Sequence, residues 1–206
     1  MHIPDGFLST PVWASLDAAA IPAVGYFVRR TQAGFDEARA PMLGVMGAFV
    51  FAAQMINFPV GVGTSGHLVG GALLALTLGP YAATVVMTAI LVVQAFVFQD
   101  GGVTALGANV LNMAVAGVWL GYLPVKIAGS RSRVAVFLGG WLSVMAGALL
   151  ATLELSLSRV APNGPLFALM LGIHAVTGLA EGAITVAALG AISRLSPKFV
   201  FHGEAG

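Results

Sequence analysis

The sequence predicts an all-α membrane protein of about seven transmembrane helices, and three observations lead there. Of 206 residues, 58% are hydrophobic and only 8% charged, against about 25% charged in a soluble domain. Apolar stretches recur that are long enough to cross a bilayer as helices. The basic residues gather on one side when the number of spans is odd. The chain has no cysteine, which excludes disulfides and thiolate metal sites.

The first helix is expected over Val12–Val28. It ends in Arg29-Arg30 and so reads as a retained span rather than a cleaved leader. Further helices are expected over Met42–Ile56, His67–Leu78, Tyr81–Phe98, Thr104–Leu123, Val134–Leu157 and Leu166–Ser193. The third is short, divided from the fourth only by the breaker pair Gly79-Pro80. No internal repeat, low-complexity tract or soluble segment stands out, so residues 1–206 read as one integral-membrane domain.

Seven spans put Arg29, Arg30, Arg39, Lys126, Arg131, Arg133, Arg194 and Lys198 on one side and only Arg159 on the other. The positive-inside rule then predicts an external N-terminus and a cytoplasmic C-terminus. The unusual polar residues fall together on the external face. They are His2 and Asp5, the Asn57–Gly66 loop with His67 behind it, the Gln99–Gly102 turn and the Arg159–Pro165 loop.

Met1-His2 is the most specific of these features. With no leader before it and a bulky second residue, Met1 is expected to be retained. The α-amine, the His2 amide nitrogen and the His2 ring then close fused five- and six-membered chelate rings. Nitrogen-rich square-planar coordination suits Ni(II) or Cu(II). The glycine-rich segment Asn57–His67 carries the second candidate, His67, expected at a helix start capped by Thr64 or Ser65. His67 would supply the fourth nitrogen.

A third group comprises Gln94, Gln99, Asp100, Gly101, Gly102, Thr104, Asn109 and Asn112. Its amides are suited either to orienting metal-bound histidines or to bonding between helices. Asp5 and Asp100 are candidate acceptors from histidine N–H groups. Within the spans, His174 and Glu181 lie seven residues apart on one helix face. With Glu154 on the preceding helix they either pair structurally, the favoured reading, or mark a proton or ion route, and Asp17 carries the same ambiguity. Gly71, Ala75 and Gly79 recur every four residues, for internal packing or for docking a partner. The chain carries no Walker A sequence, nucleotide fingerprint, Gly-x-Ser-x-Gly elbow or His-Glu-x-x-His pair. Any ATPase must therefore be another chain.

Three stretches together resemble the CbiM/NikM family, the substrate-binding (S) components of energy-coupling factor transporters for cobalt and nickel. These are Met1-His2-Ile3-Pro4-Asp5-Gly6-Phe7-Leu8, Gly63-Thr64-Ser65-Gly66-His67-Leu68-Val69-Gly70-Gly71, and Gln99-Asp100-Gly101-Gly102-Val103-Thr104-Ala105-Leu106-Gly107-Ala108-Asn109. The resemblance covers essentially the whole chain. It implies a helical S-component fold with an extra N-terminal helix, in a multi-pass protein of a prokaryotic cell membrane. It also implies a square-planar site built from Met1, His2 and His67. Around that site Asp5, Thr64, Ser65, Gln99, Asp100 and Asn109 are candidates for orienting the ligands.

The partners implied are a CbiQ/NikQ-type coupling protein, CbiO/NikO-type ATPases and a small CbiN/NikN-type membrane protein; no nucleic-acid partner is expected. Many cobalt-linked members read Met-Glu-Gly where this chain has Pro4-Asp5-Gly6, which favours Ni2+ over Co2+ as the bound substrate. The chain is therefore expected not to be an enzyme itself. The competing readings are a small-solute channel or secondary transporter, and an intramembrane metalloenzyme using His174, Glu181 and Glu154.

Overall fold

The computed structural model describes residues 1–34, 36–61, 64–196 and 200–201, with backbone alone at 60, 61 and 64. Lys198 lies outside the described residues, as does the Thr64 side chain. Seven helices run in the expected order among the described residues. They are α1 (Thr10–Ala33), α2 (Ala40–Gln54), α3 (Gly71–Leu78), α4 (Pro80–Phe98), α5 (Leu106–Ala128), α6 (Arg133–Leu157) and α7 (Asn163–Leu195). Five of them, α1 and α4 to α7, are long and apolar enough to cross a membrane. This is a membrane protein, and the outward faces carry exposed apolar side chains such as Ile21, Val134, Val176 and Leu195.

The other two helices are shorter. At eight residues α3 extends only about 12 Å, yet all of it is buried among α4, α5, α6 and α7. Gly79-Pro80 ends it and starts α4, with Gly79 at φ +85° beneath the Phe201 ring. Gly71 faces Ser143 and Gly117 so closely that a Cβ would collide with them. The Gly71/Ala75/Gly79 spacing therefore serves packing inside the bundle rather than a partner.

The third helix departs from expectation at its start. It begins at Gly71, so His67 sits in an irregular stretch between helix and strand. Before it, β1 (Phe58–Gly61) pairs antiparallel with β2 (Thr64–Gly66). The N-cap of α3 is Gly70 at φ +74° rather than Ser65, with no side-chain cap bond of its own. The Glu181 carboxylate, reaching across from α7, instead accepts the Val69 and Gly70 N–H groups at 2.8 and 2.6 Å. An anion there complements the positive end of the helix dipole and satisfies otherwise orphaned donors.

Two helices widen locally to π-helical geometry, at Gln94–Phe98 in α4 and Val110–Gly117 in α5. Such stretches are rare and often accompany functional sites. Here they accompany Gln94 and Asn112, both without solvent exposure. Asp17 is structural: its carboxylate accepts the Gly107 N–H at 2.7 Å, where α1 crosses the start of α5.

Candidate metal centre

Chain termini are usually loose, but this one is buried. Met1 and Ile3 have no solvent exposure and His2 has 3%. Three sets of bonds hold the segment in place. The Asn109 amide clamps Ile3, its Oδ1 accepting the Ile3 N–H at 2.9 Å and its Nδ2 donating to the Ile3 carbonyl at 3.1 Å. Gly102 N–H donates to the same carbonyl at 2.8 Å. Asp5 accepts from Val103 N–H and from both the N–H and the hydroxyl of Thr104. Gly102 leaves no space for a Cβ, because Asp5 and Pro4 atoms occupy that place.

Inside, the Met1 amine donates to the Ser65 carbonyl. Burial pushes the pKa of that amine down to about 4, although the nearby Asp100 charge opposes the shift. It is therefore neutral at physiological pH, with its lone pair free.

A chain of amides determines the His2 tautomer. Gln54 Nε2 donates to the Val69 carbonyl at 2.6 Å, and Gln94 Nε2 donates to Gln54 Oε1 at 3.0 Å. Gln94 Oε1 is thus left to accept, and His2 Nε2–H donates to it at 3.1 Å. The His2 Nδ1 lone pair consequently stays bare. Asp100 Oδ1 lies 3.3 Å from Nδ1, close enough for charge but without hydrogen-bond alignment.

The same logic applies at His67. Its Nδ1–H donates to the Leu68 carbonyl at 2.7 Å, which leaves Nε2 bare, buried and unpartnered. Burial holds both rings below the usual histidine pKa. At His2 the Asp100 carboxylate works against the shift, and at His67 the Met1 amine adds to it. The centre thus presents neutral nitrogen donors, as a metal requires. The His2 backbone N–H donates to nothing among the described residues.

The ring centroids of His2 and His67 are 4.4 Å apart. Their planes lie within 20° of parallel, a stacked pair. No group of three or more His, Cys, Asp or Glu side chains converges on a metal-sized space among the described residues. A four-donor site here therefore needs donors beyond those side chains.

Most of the predicted polar residues are near this centre, with different parts to play. Asp100 lies beside His2 and accepts from Asn57 Nδ2 at 3.0 Å. Ser65 contributes its carbonyl, while its hydroxyl has no partner. Asp5 accepts no histidine N–H; its bonds go to the 103–104 loop. Gln99 is exposed, and its contribution is a left-handed backbone (φ 54°) that ends α4.

His174 and Glu181 do not pair with each other. His174 Nδ1–H donates to the Met170 carbonyl at 2.7 Å, and Glu181 takes the two N–H groups at the head of α3. Glu154 accepts from Asn112 Nδ2. The three do not form one site, which removes the geometry an intramembrane metalloenzyme would need. Sequence reasoning missed Gln54 as the anchor of the amide chain. Its signal was present, since an amide in an otherwise apolar span calls for a partner.

Replacing Gln94 with leucine should free the His2 ring to turn and strand the Gln54 carbonyl. Metal affinity is expected to fall about 10–100-fold with the one-ion stoichiometry kept, as read by Ni(II) titration.

Residues 2–199 match the model of the CbiM family, described as a cobalt uptake substrate-specific transmembrane region. The fused nickel transport protein NikMN of Rhodobacter capsulatus is 33% identical over 221 residues, covering 97% of this chain and 64% of that protein. The cobalt transport protein CbiM of Acetoanaerobium sticklandii is 32% identical over 197 residues, covering 90% and 81%. A crystal structure of a truncated transition metal transporter superposes with a TM-score of 0.88 at 32% identity, covering 94% of this chain and 99% of that one.

Proposed function

This chain belongs to the CbiM family, and from that premise we propose that it captures a divalent transition metal ion, Ni2+ in preference to Co2+, for uptake. It does so as the substrate-binding S component of an ATP-driven energy-coupling factor transporter. One observation carries the reading: a buried Met1 amine beside two histidines whose hydrogen bonds leave His2 Nδ1 and His67 Nε2 bare. The ion is held by the Met1 amine, the deprotonated His2 amide nitrogen, His2 Nδ1 and His67 Nε2. Four nitrogens in a plane suit Ni(II).

The basic end of the bundle faces the cytoplasm and the metal centre faces outward, so the ion enters from outside. ATP hydrolysis belongs to separate CbiO/NikO-type subunits, joined through a CbiQ/NikQ-type coupling protein. Relatives named as fused NikMN proteins support a further CbiN/NikN-type partner.

The test is a Ni(II) and Co(II) titration of the purified chain starting at Met1. One equivalent of Ni(II), bound more tightly than Co(II), is expected. A folded protein that binds neither would refute the proposal.

The proton balance is a sharper check. Because the amine and both imidazoles are already neutral, only the His2 amide must lose a proton. Binding near pH 7 should release about one proton per ion, measurable by calorimetry in buffers of different ionisation enthalpy. Affinity should then fall about tenfold per pH unit on acidification. The fall should steepen once pH drops below the lowered histidine values, and further toward the amine's pKa of about 4, because the metal must then displace those protons too.

A further inference from the structure

A third imidazole stands at the centre without a task. His174, on α7, has no solvent exposure. Its Nδ1–H is committed to the Met170 carbonyl at 2.7 Å, so its Nε2 carries a lone pair, and that atom has no partner. A buried acceptor left bare is unfavourable by about 1–3 kcal/mol. Among the described residues, the other buried imidazole nitrogens in this condition are His2 Nδ1 and His67 Nε2, both metal donors in the reading above.

The surroundings of His174 indicate which part it takes. Besides the Met170 carbonyl, the groups acting on its ring are the Met1 amine and the Ser65 carbonyl, and His174 in turn acts on His67. His174 thus adjoins the amine and the carbonyl that accepts from it. A primary amine bound to a metal through its lone pair keeps two N–H groups. The Ser65 carbonyl accepts one, and the second needs an acceptor.

We infer that His174 Nε2 accepts the second N–H of the Met1 amine and so aims the amine lone pair at the bound ion. His174 is thus a positioning residue and not a ligand. This rests on the metal-capture reading. It completes the hydrogen bonding of an amine that would otherwise be free to rotate about its Cα–N bond. It also attaches the loaded terminus to α7, the helix whose Glu181 holds the loop behind His67.

The test compares full-length His174→Gln, His174→Asn and Ser65→Ala with the wild type, all starting at Met1 and checked for folding by apo melting temperature. Ni(II) affinity and the absorption spectrum of the Ni(II)-loaded protein are measured together. A glutamine carbonyl can reach the place of Nε2. An asparagine amide can still serve the Met170 carbonyl but cannot reach the amine.

The expected result is at least a tenfold loss of affinity in His174→Asn, largely recovered in His174→Gln. The spectrum should be the same throughout because the four donors are unchanged. Equal affinity in His174→Asn and wild type would overturn the inference, since Asn preserves only the structural bond. A loss in Ser65→Ala alone would transfer the role to that hydroxyl. A spectral shift in His174→Asn would make His174 a ligand. Absence of Ni(II) binding by the wild type would instead refute the metal-capture reading itself.

Discussion

One residue added before Met1 is expected to abolish high-affinity metal binding, lowering affinity at least about a thousandfold, or ~4 kcal/mol. Two effects combine. Acylating the amine turns a neutral amine donor into an amide nitrogen whose lone pair is delocalised into its carbonyl. The place beyond the amine is also filled: Met1 is fully buried and its nitrogen faces the Ser65 carbonyl. An added residue must therefore expel the terminus or displace the β2 strand. The bundle itself should persist, because its core is formed by α3 and the helices around it. N-terminal acetylation should have the same effect with less steric disturbance. Titration of Met1-start, extended and acetylated chains side by side checks this, with apo melting as the folding control. Unchanged affinity in the extended chain would remove the amine from the site.

His67→Ala carries the second largest effect. It deletes one corner of the plane and leaves the three-nitrogen chelate of Met1-His2 intact, so binding should weaken about 100–1,000-fold, or ~3–4 kcal/mol, without vanishing. The loop itself should hold. Its anchor is the Glu181 carboxylate on Val69 and Gly70, with Gln54 on the Val69 carbonyl, and neither depends on the ring. The open corner would be taken by water, so the visible absorption of the Ni(II) form should shift. An extended chain, by contrast, should show no site-specific absorption at all. If His67→Ala matched the wild type in both affinity and spectrum, the fourth donor would have to come from elsewhere.

The helices were legible because apolar runs bounded by Arg pairs, Gly-Pro and basic loops leave few alternatives for the chain. Met1, His2 and His67 were legible as candidates because histidines are scarce here, four in the whole chain. Local reasoning failed where the partner came from far along the chain. A hydroxyl before a helix is a sound N-cap signal, but the acceptor at α3 is Glu181, 111 and 112 residues away from the donors. Distant bonds at Glu181 and a local one from His174 to Met170 undid the expected His174–Glu181 pair. Sharing a helix face places two side chains on one side, yet each found backbone groups that required it. Gln94 belonged visibly to a polar cluster, but its link to Gln54 spans 40 residues, and spacing cannot reveal it. Gln99 misled in the opposite direction: its position in a motif reflects a left-handed backbone turn and not its amide.

The central claim is that two imidazoles and two main-chain nitrogens hold the ion. X-ray absorption at the nickel edge, on the Met1-start chain loaded with one equivalent, tests it most directly. The account predicts a single shell of four nitrogen neighbours in square-planar geometry, with outer-shell scattering from two imidazoles. Six oxygen and nitrogen neighbours, a sulfur neighbour, or scattering from one or three imidazoles would contradict it.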